Sequence, residues 1–169
     1  MKSRIPKEVV ASLLAATTVL LALPPFNLPP WALFIGWAGT FAAGGPNSIV
    51  MKKIWITMPI GSLTAAIIVL VKDYYFGSFL SGGAYIAAEM GTIFFFNCLM
   101  MLLGRTRWFP FVPGMFFGFA SFFATYYGGW GPVDHSVWSA FIAVVFMNAM
   151  GPIYAWLTEN LSAGTVSRH

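Results

Sequence analysis

Six apolar runs, residues 9–23, 31–44, 54–71, 84–103, 109–127 and 137–157, take up nearly all of this 169-residue chain, with charged or Pro/Gly-rich points between them. Runs of this kind leave water for a bilayer or a very large core. In lipid the backbone must satisfy its own hydrogen bonds, so each run folds as a helix. At 59% hydrophobic and 8% charged residues, the chain has too few polar side chains to coat a water-soluble globule of its size. The expectation is an all-α membrane protein of six transmembrane helices. Runs near 15 residues reach only about 22 Å at 1.5 Å per residue, so they recruit flanking residues or stop partway across.

The positions of the basic residues orient the helices. Lys2, Arg4, Lys7, Lys52, Lys53, Arg105, Arg107 and Arg168 fall at one set of run ends, and Lys72 alone at the other. The positive-inside rule then puts both termini in the cytoplasm and makes the number of spans even. The layout is a cytoplasmic N-terminus over 1–8, a single membrane domain over 9–157 and a cytoplasmic tail over 158–169. The net charge of +4 is accordingly a topology signal, and the expected partner is the lipid bilayer, with no nucleic acid. Trp31, Trp55, Trp108, Trp138 and Trp156 stand at run ends, where an indole suits the headgroup level, while Trp37 lies within a run. The basic N-terminus ahead of an apolar run resembles a secretory signal. Its Pro24-Pro25 exit and its part in an even count argue for retention. Cys98 is the single cysteine, so neither an intrachain disulfide nor a thiolate metal cluster is available.

A nine-residue pattern, Phe34-x-Gly36-Trp37-Ala38-x-x-Phe41-Ala42, returns as Phe116-x-Gly118-Phe119-Ala120-x-x-Phe123-Ala124, and each copy runs into a Gly-Gly and a proline. With a cytoplasmic N-terminus the two copies cross in opposite senses. That makes the fold two inverted three-helix repeats, about 9–73 and about 84–157. Small residues at four-residue steps, Ala32, Gly36 and Thr40 on one span and Gly114 and Gly118 on the other, let backbones approach closely. Gly36, Gly39, Gly114 and Gly118 are the candidate packing residues. They seat the second and fifth spans against each other or a neighbouring subunit, or those spans cross at the pseudo-twofold axis and line a narrow path.

The stretches Phe111-Val112-Pro113-Gly114-x-Phe116-x-Gly118-x-x-x-x-Phe123-Ala124 and Trp31-x-x-Phe34-x-Gly36-x-x-x-x-Phe41-Ala42 carry a resemblance. From about residue 10 to 157 the chain resembles a family of small bacterial inner-membrane proteins catalogued as a domain of unknown function, the YcdZ-like proteins. The resemblance implies a bacterial inner-membrane location and a compact multi-span fold. It brings neither a substrate nor catalytic residues. In size and three-plus-three architecture alone the chain is also similar to proton-gated urea and amide channels.

Few residues are equipped for chemistry. Glu89 is the carboxylate within a span, and an intramembrane ionisable group is a functional candidate because its charge must find a partner. Either it faces the interior as a proton-sensitive gate, or it reaches the outer headgroups or pairs with Lys72. Asn97 and Asn148 lie mid-span, where a carboxamide offers donors and acceptors to a neutral solute, or else joins two helices. Trp37 and Phe119 are equivalent in the repeat and either form an apolar constriction or simply pack. Asp134 and His135 occupy the loop after the fifth span, where a histidine can respond to pH. Phosphate-loop and His-Glu-x-x-His patterns are absent, and the two histidines are His135 and His169, so no enzyme activity, cofactor or metal is expected.

These features point to a channel or secondary transporter for a small neutral or weakly polar solute, working as a homo-oligomer. The alternative is a non-transporting scaffold or accessory subunit packed on a larger membrane partner.

Overall fold

A computed structural model of the chain describes residues 5–162. Lys2, Arg4, Arg168 and His169 of the charge and motif reading lie outside the described residues. The described residues form six α-helices and no strand: α1 (Lys7–Ala22), α2 (Pro30–Ala42), α3 (Ser48–Val69), α4 (Gly82–Leu103), α5 (Val112–Tyr127) and α6 (Val137–Leu161). A π-helical segment, Leu70–Tyr75, and a short 3-10 turn, Phe76–Ser78, continue α3.

Helix boundaries follow capping chemistry rather than hydrophobicity. The Asn47 side chain accepts from the backbone N–H groups of Ile49 and Val50 at 3.1 and 3.0 Å. It therefore starts α3 six residues ahead of the apolar run, and Lys52 and Lys53 become helical residues with their heads free to reach solvent. Proline in the first turn opens α2 (Pro30) and α5 (Pro113), where a missing N–H costs nothing. At its far end α6 continues four residues past the apolar run, to Leu161.

Three segments are long and apolar enough to cross a membrane: Ser48–Ser78, Gly82–Leu103 and Val137–Leu161. An all-helical chain with three such helices fits a membrane protein. The other three helices, α1, α2 and α5, have 16, 13 and 16 residues and fall short of a full crossing. α2 has 13 residues, about 20 Å of helix against a hydrocarbon core of about 30 Å.

Two crosswise pairs make the core, α2 on α6 and α3 on α5. Glycine decides both crossings. A Cβ on Gly36 would overlap the carbonyl oxygen of Asn148, and one on Gly151 would overlap the backbone of Gly36 and Trp37. In the other pair, a Cβ on Gly118 would overlap the Met58 carbonyl, and one on Gly61 the Met115 carbonyl. Neither pair could approach so closely with any larger residue. The most extensive packing of α2 and α5 is thus with α6 and α3, not with each other, because the opposing glycines, Gly151 and Gly61, lie on those helices. Where α2 does meet α5, a Cβ on Gly39 would lie 3.0 Å from the Phe117 ring. Gly114 seats against Thr57 of α3 and the Phe111 ring.

Hydrogen bonds reinforce this arrangement. Ser62 donates to the Gly118 carbonyl at 2.9 Å, and the Trp55 indole to the Ala149 carbonyl at 2.9 Å. Trp37, Phe122, Tyr126, Met147 and Tyr154 fill the space between the helices.

α1 and α4 are peripheral. α1 leans on α6, with Thr17 and the Tyr154 hydroxyl 3.0 Å apart. α4 leans on α3 and buries only Thr92 and Met100 fully. Its remaining surface carries Met90, Phe94 and Phe95 largely exposed, as suits contact with lipid tails.

Candidate functional site

Where α3 gives way to the π-helical segment, four side chains gather around the Lys72 ammonium. Lys72 Nζ lies 2.9 Å from Glu89 Oε1 of α4 and 3.1 Å from Asp73 Oδ1. The Tyr85 hydroxyl of α4 donates to Asp73 Oδ1 at 2.8 Å, and the Tyr127 hydroxyl of α5 to Asp73 Oδ2 at 3.2 Å. The ammonium also sits over both rings, 5.2 Å from the centroid of Tyr127 and 5.8 Å from that of Tyr85. The ammonium thus meets two carboxylates and two ring faces, all of opposite electrostatic sense.

Local sequence explains the convergence. A π turn closes i→i+5 hydrogen bonds and alters the direction of successive side chains, and such turns concentrate at functional sites. Here it lets neighbouring residues, Lys72 and Asp73, serve the same cluster. Tyr85 and Glu89 are four apart, so both lie on one face of α4. Tyr127 ends α5, and Gly128 follows at once as its cap.

Burial differs within the cluster. The Lys72 side chain keeps 9% of its surface exposed, against 26% for Asp73 and 32% for Glu89. A nearly enclosed ammonium needs its partners, since leaving it alone would cost several kcal/mol. This also accounts for the single exception in the charge pattern: Lys72 stands apart from the other basic residues as a neutralised group within the fold.

A second ion pair lies at the opposite end of the bundle. Lys7 at the start of α1 contacts Glu159 in the last turns of α6, and its ammonium is 4.7 Å from the centroid of the Phe41 ring. Both side chains remain more than two-fifths exposed.

The other candidates are dispersed. Asn97 lines an open hollow of about 340 Å³ on α4, together with Phe94, Cys98, Met101, Leu102 and Arg105. Asn148 is buried between α3 and α6. Glu89, Asn97 and Asn148 therefore occupy three separate places and share no cavity. Trp37 packs edge-on to Tyr154 of α6 at 5.6 Å, while Phe119 packs against Phe123 of its own helix at 4.9 Å. Asp134 and His135, 3.5 Å apart and each two-thirds exposed, border a hollow of about 400 Å³ beside Leu70 and Tyr74.

Sequence reasoning reached Glu89 and named Lys72 as its possible partner, but it missed Asp73, Tyr85 and Tyr127. Tyr85 carried a signal in its four-residue spacing from Glu89. Tyr127, 54 residues from Asp73, carried none.

Comparison with known proteins now adds the family. The model described as "Protein of unknown function (DUF1097)" matches residues 8–163. The chain belongs to this family. No curated protein and no solved structure matches it.

Proposed function

We propose that the chain is a six-span inner-membrane protein of two inverted three-helix repeats that passes a small neutral or weakly polar solute. In this reading the described conformation is the closed one. The observation that carries it is the pair of ion-pair latches at opposite ends of the bundle. Lys72 and Glu89 join α3 to α4 at one end, and Lys7 and Glu159 join α6 to α1 at the other.

An inverted repeat relates α1 to α4, α2 to α5 and α3 to α6. Under that relation the two latches tie equivalent helix pairs at opposite faces. The two glycine crossings support the same relation, since Gly36 on Asn148 corresponds to Gly118 on Met58. Latches at opposite faces that open in turn are what alternating access requires. Both termini then face the cytoplasm, with Lys72, Asp73 and Glu89 beneath the outer surface.

Solute class follows from what the helices offer. Between the latches the buried polar groups are hydroxyls, such as Thr40, Ser62, Ser121 and Thr125, and the Asn148 carboxamide. Such groups suit amides and polyols and give an anion no positive partner. No catalytic role is assigned.

Purified protein in liposomes should admit small amides, polyols or weak acids faster than protein-free vesicles. Glu89→Gln should change the rate by loosening the outer latch. Equal swelling with and without protein would remove the transport reading. A scaffold role has one observation in its favour, the bare face of α4, and would show as absent flux joined to stable co-purification with a larger membrane protein.

A further inference from the structure

We infer that the crossing of α3 and α6 is a binding site for a single water molecule, held by Asn148. Asn148 is 2% exposed, and neither its Nδ2 nor its Oδ1 has a hydrogen-bond partner among the described residues. Buried carboxamides are normally bonded, because an orphaned donor or acceptor loses its water without replacement. The side chain borders a cavity of about 10 Å³, together with Ile54, Trp55, Met58, Pro59, Val145 and Ala149. By the same measure one water needs at least about 10–15 Å³, so the cavity is at the lower limit for water and too small for any larger solute.

The backbone around the cavity supplies further polar groups. Pro59 has no N–H, so the carbonyl of Trp55, four residues earlier, lacks its helical donor. Trp55 and Pro59 both line the cavity. Pro152 likewise leaves the Asn148 carbonyl without its helical donor, and that is the oxygen against which Gly36 sits. A water at this point accepts from the Asn148 amide nitrogen, or donates to its oxygen after rotation of the carboxamide, and donates to the Trp55 carbonyl. The Trp55 indole bonds across to the Ala149 carbonyl at 2.9 Å beside the cavity. Two helices, each missing one backbone donor at an internal proline, thus meet where one solvent molecule completes the bonding that neither helix can supply. The site stands whether or not the chain conducts solute.

A crystal structure of the full chain from a lipid mesophase, at 2 Å or better, tests this directly. The expected result is one ordered water within about 3.2 Å of the Asn148 carboxamide. A dry cavity, or a carboxamide turned onto a protein carbonyl instead, would overturn the assignment. Asn148→Leu gives an independent sign test by thermal unfolding in detergent. If water is bound, the near-isosteric leucine expels it, strands the Trp55 carbonyl and lowers Tm by about 2–4 °C. An unchanged or raised Tm means that the amide was orphaned in a dry site, and the water is wrong.

Discussion

The two ion pairs at opposite ends of the bundle use the same chemistry in different surroundings. At one end, Lys72 is almost enclosed and answers to two carboxylates and two tyrosine rings; at the other, Lys7 and Glu159 meet with more than two-fifths of each side chain in solvent. Burial makes the first a structural commitment. Removing a partner strands a charge away from water, whereas breaking the second lets both charges rehydrate. The lesson is that an ion pair's place in the fold, rather than its composition, sets its effect on stability.

Lys72→Ala should show the largest effect. It leaves Asp73 and Glu89 facing each other without a cation, and breaking a buried pair costs about 3–5 kcal/mol. With a quarter to a third of each carboxylate exposed, the loss should fall toward the low end of that range, read as a fall in detergent Tm. A loss below 1 kcal/mol would mean that the cluster is effectively solvated, and the contrast between the two ends would collapse.

The glycine crossings test the proposed equivalence of the two helix pairs. Gly36→Ala and Gly118→Ala each force a methyl group onto a carbonyl oxygen of the facing helix, and overpacking of this kind costs about 1–3 kcal/mol. Similar losses for both would support the equivalence of α2 on α6 with α5 on α3. A large loss in one and none in the other would break it.

Glu89→Gln keeps a polar contact but removes one charge-assisted bond, for an expected loss of about 1.5–3 kcal/mol by urea unfolding in mild detergent. Glu159→Gln should cost at most about 1 kcal/mol, and that small loss should vanish on raising the salt. If the two substitutions were equally costly and equally salt-sensitive, burial would not separate the latches.

Much of the fold is legible in the sequence because lipid-facing helices obey local rules. Apolar runs name the helices, and the exceptional position of Lys72 marks the cluster. Helix ends were less legible: an apolar run measures where side chains shun water, while α3 and α6 begin or end where backbone groups find partners. The repeated motif pointed to Gly36 and Gly118, yet Gly61 and Gly151, equally tight at the crossings, have no such motif around them. Their importance comes from the helix opposite.

The sequence by itself determined an all-helical, membrane-suited chain with all its basic residues but Lys72 at one set of helix ends. These follow from composition, periodicity and charge, which act over a few residues. Only the tertiary structure decided that α2 packs on α6 and α3 on α5, and that Lys72 is enclosed by Asp73, Glu89, Tyr85 and Tyr127. It also decided that Asn148 is buried against α3 beside Pro59. In an apolar chain almost any helix face can bury against another, so hydrophobicity cannot choose the partners. Close contact at four glycines and the need to match a few buried polar groups make that choice, and both depend on residues far apart in the chain.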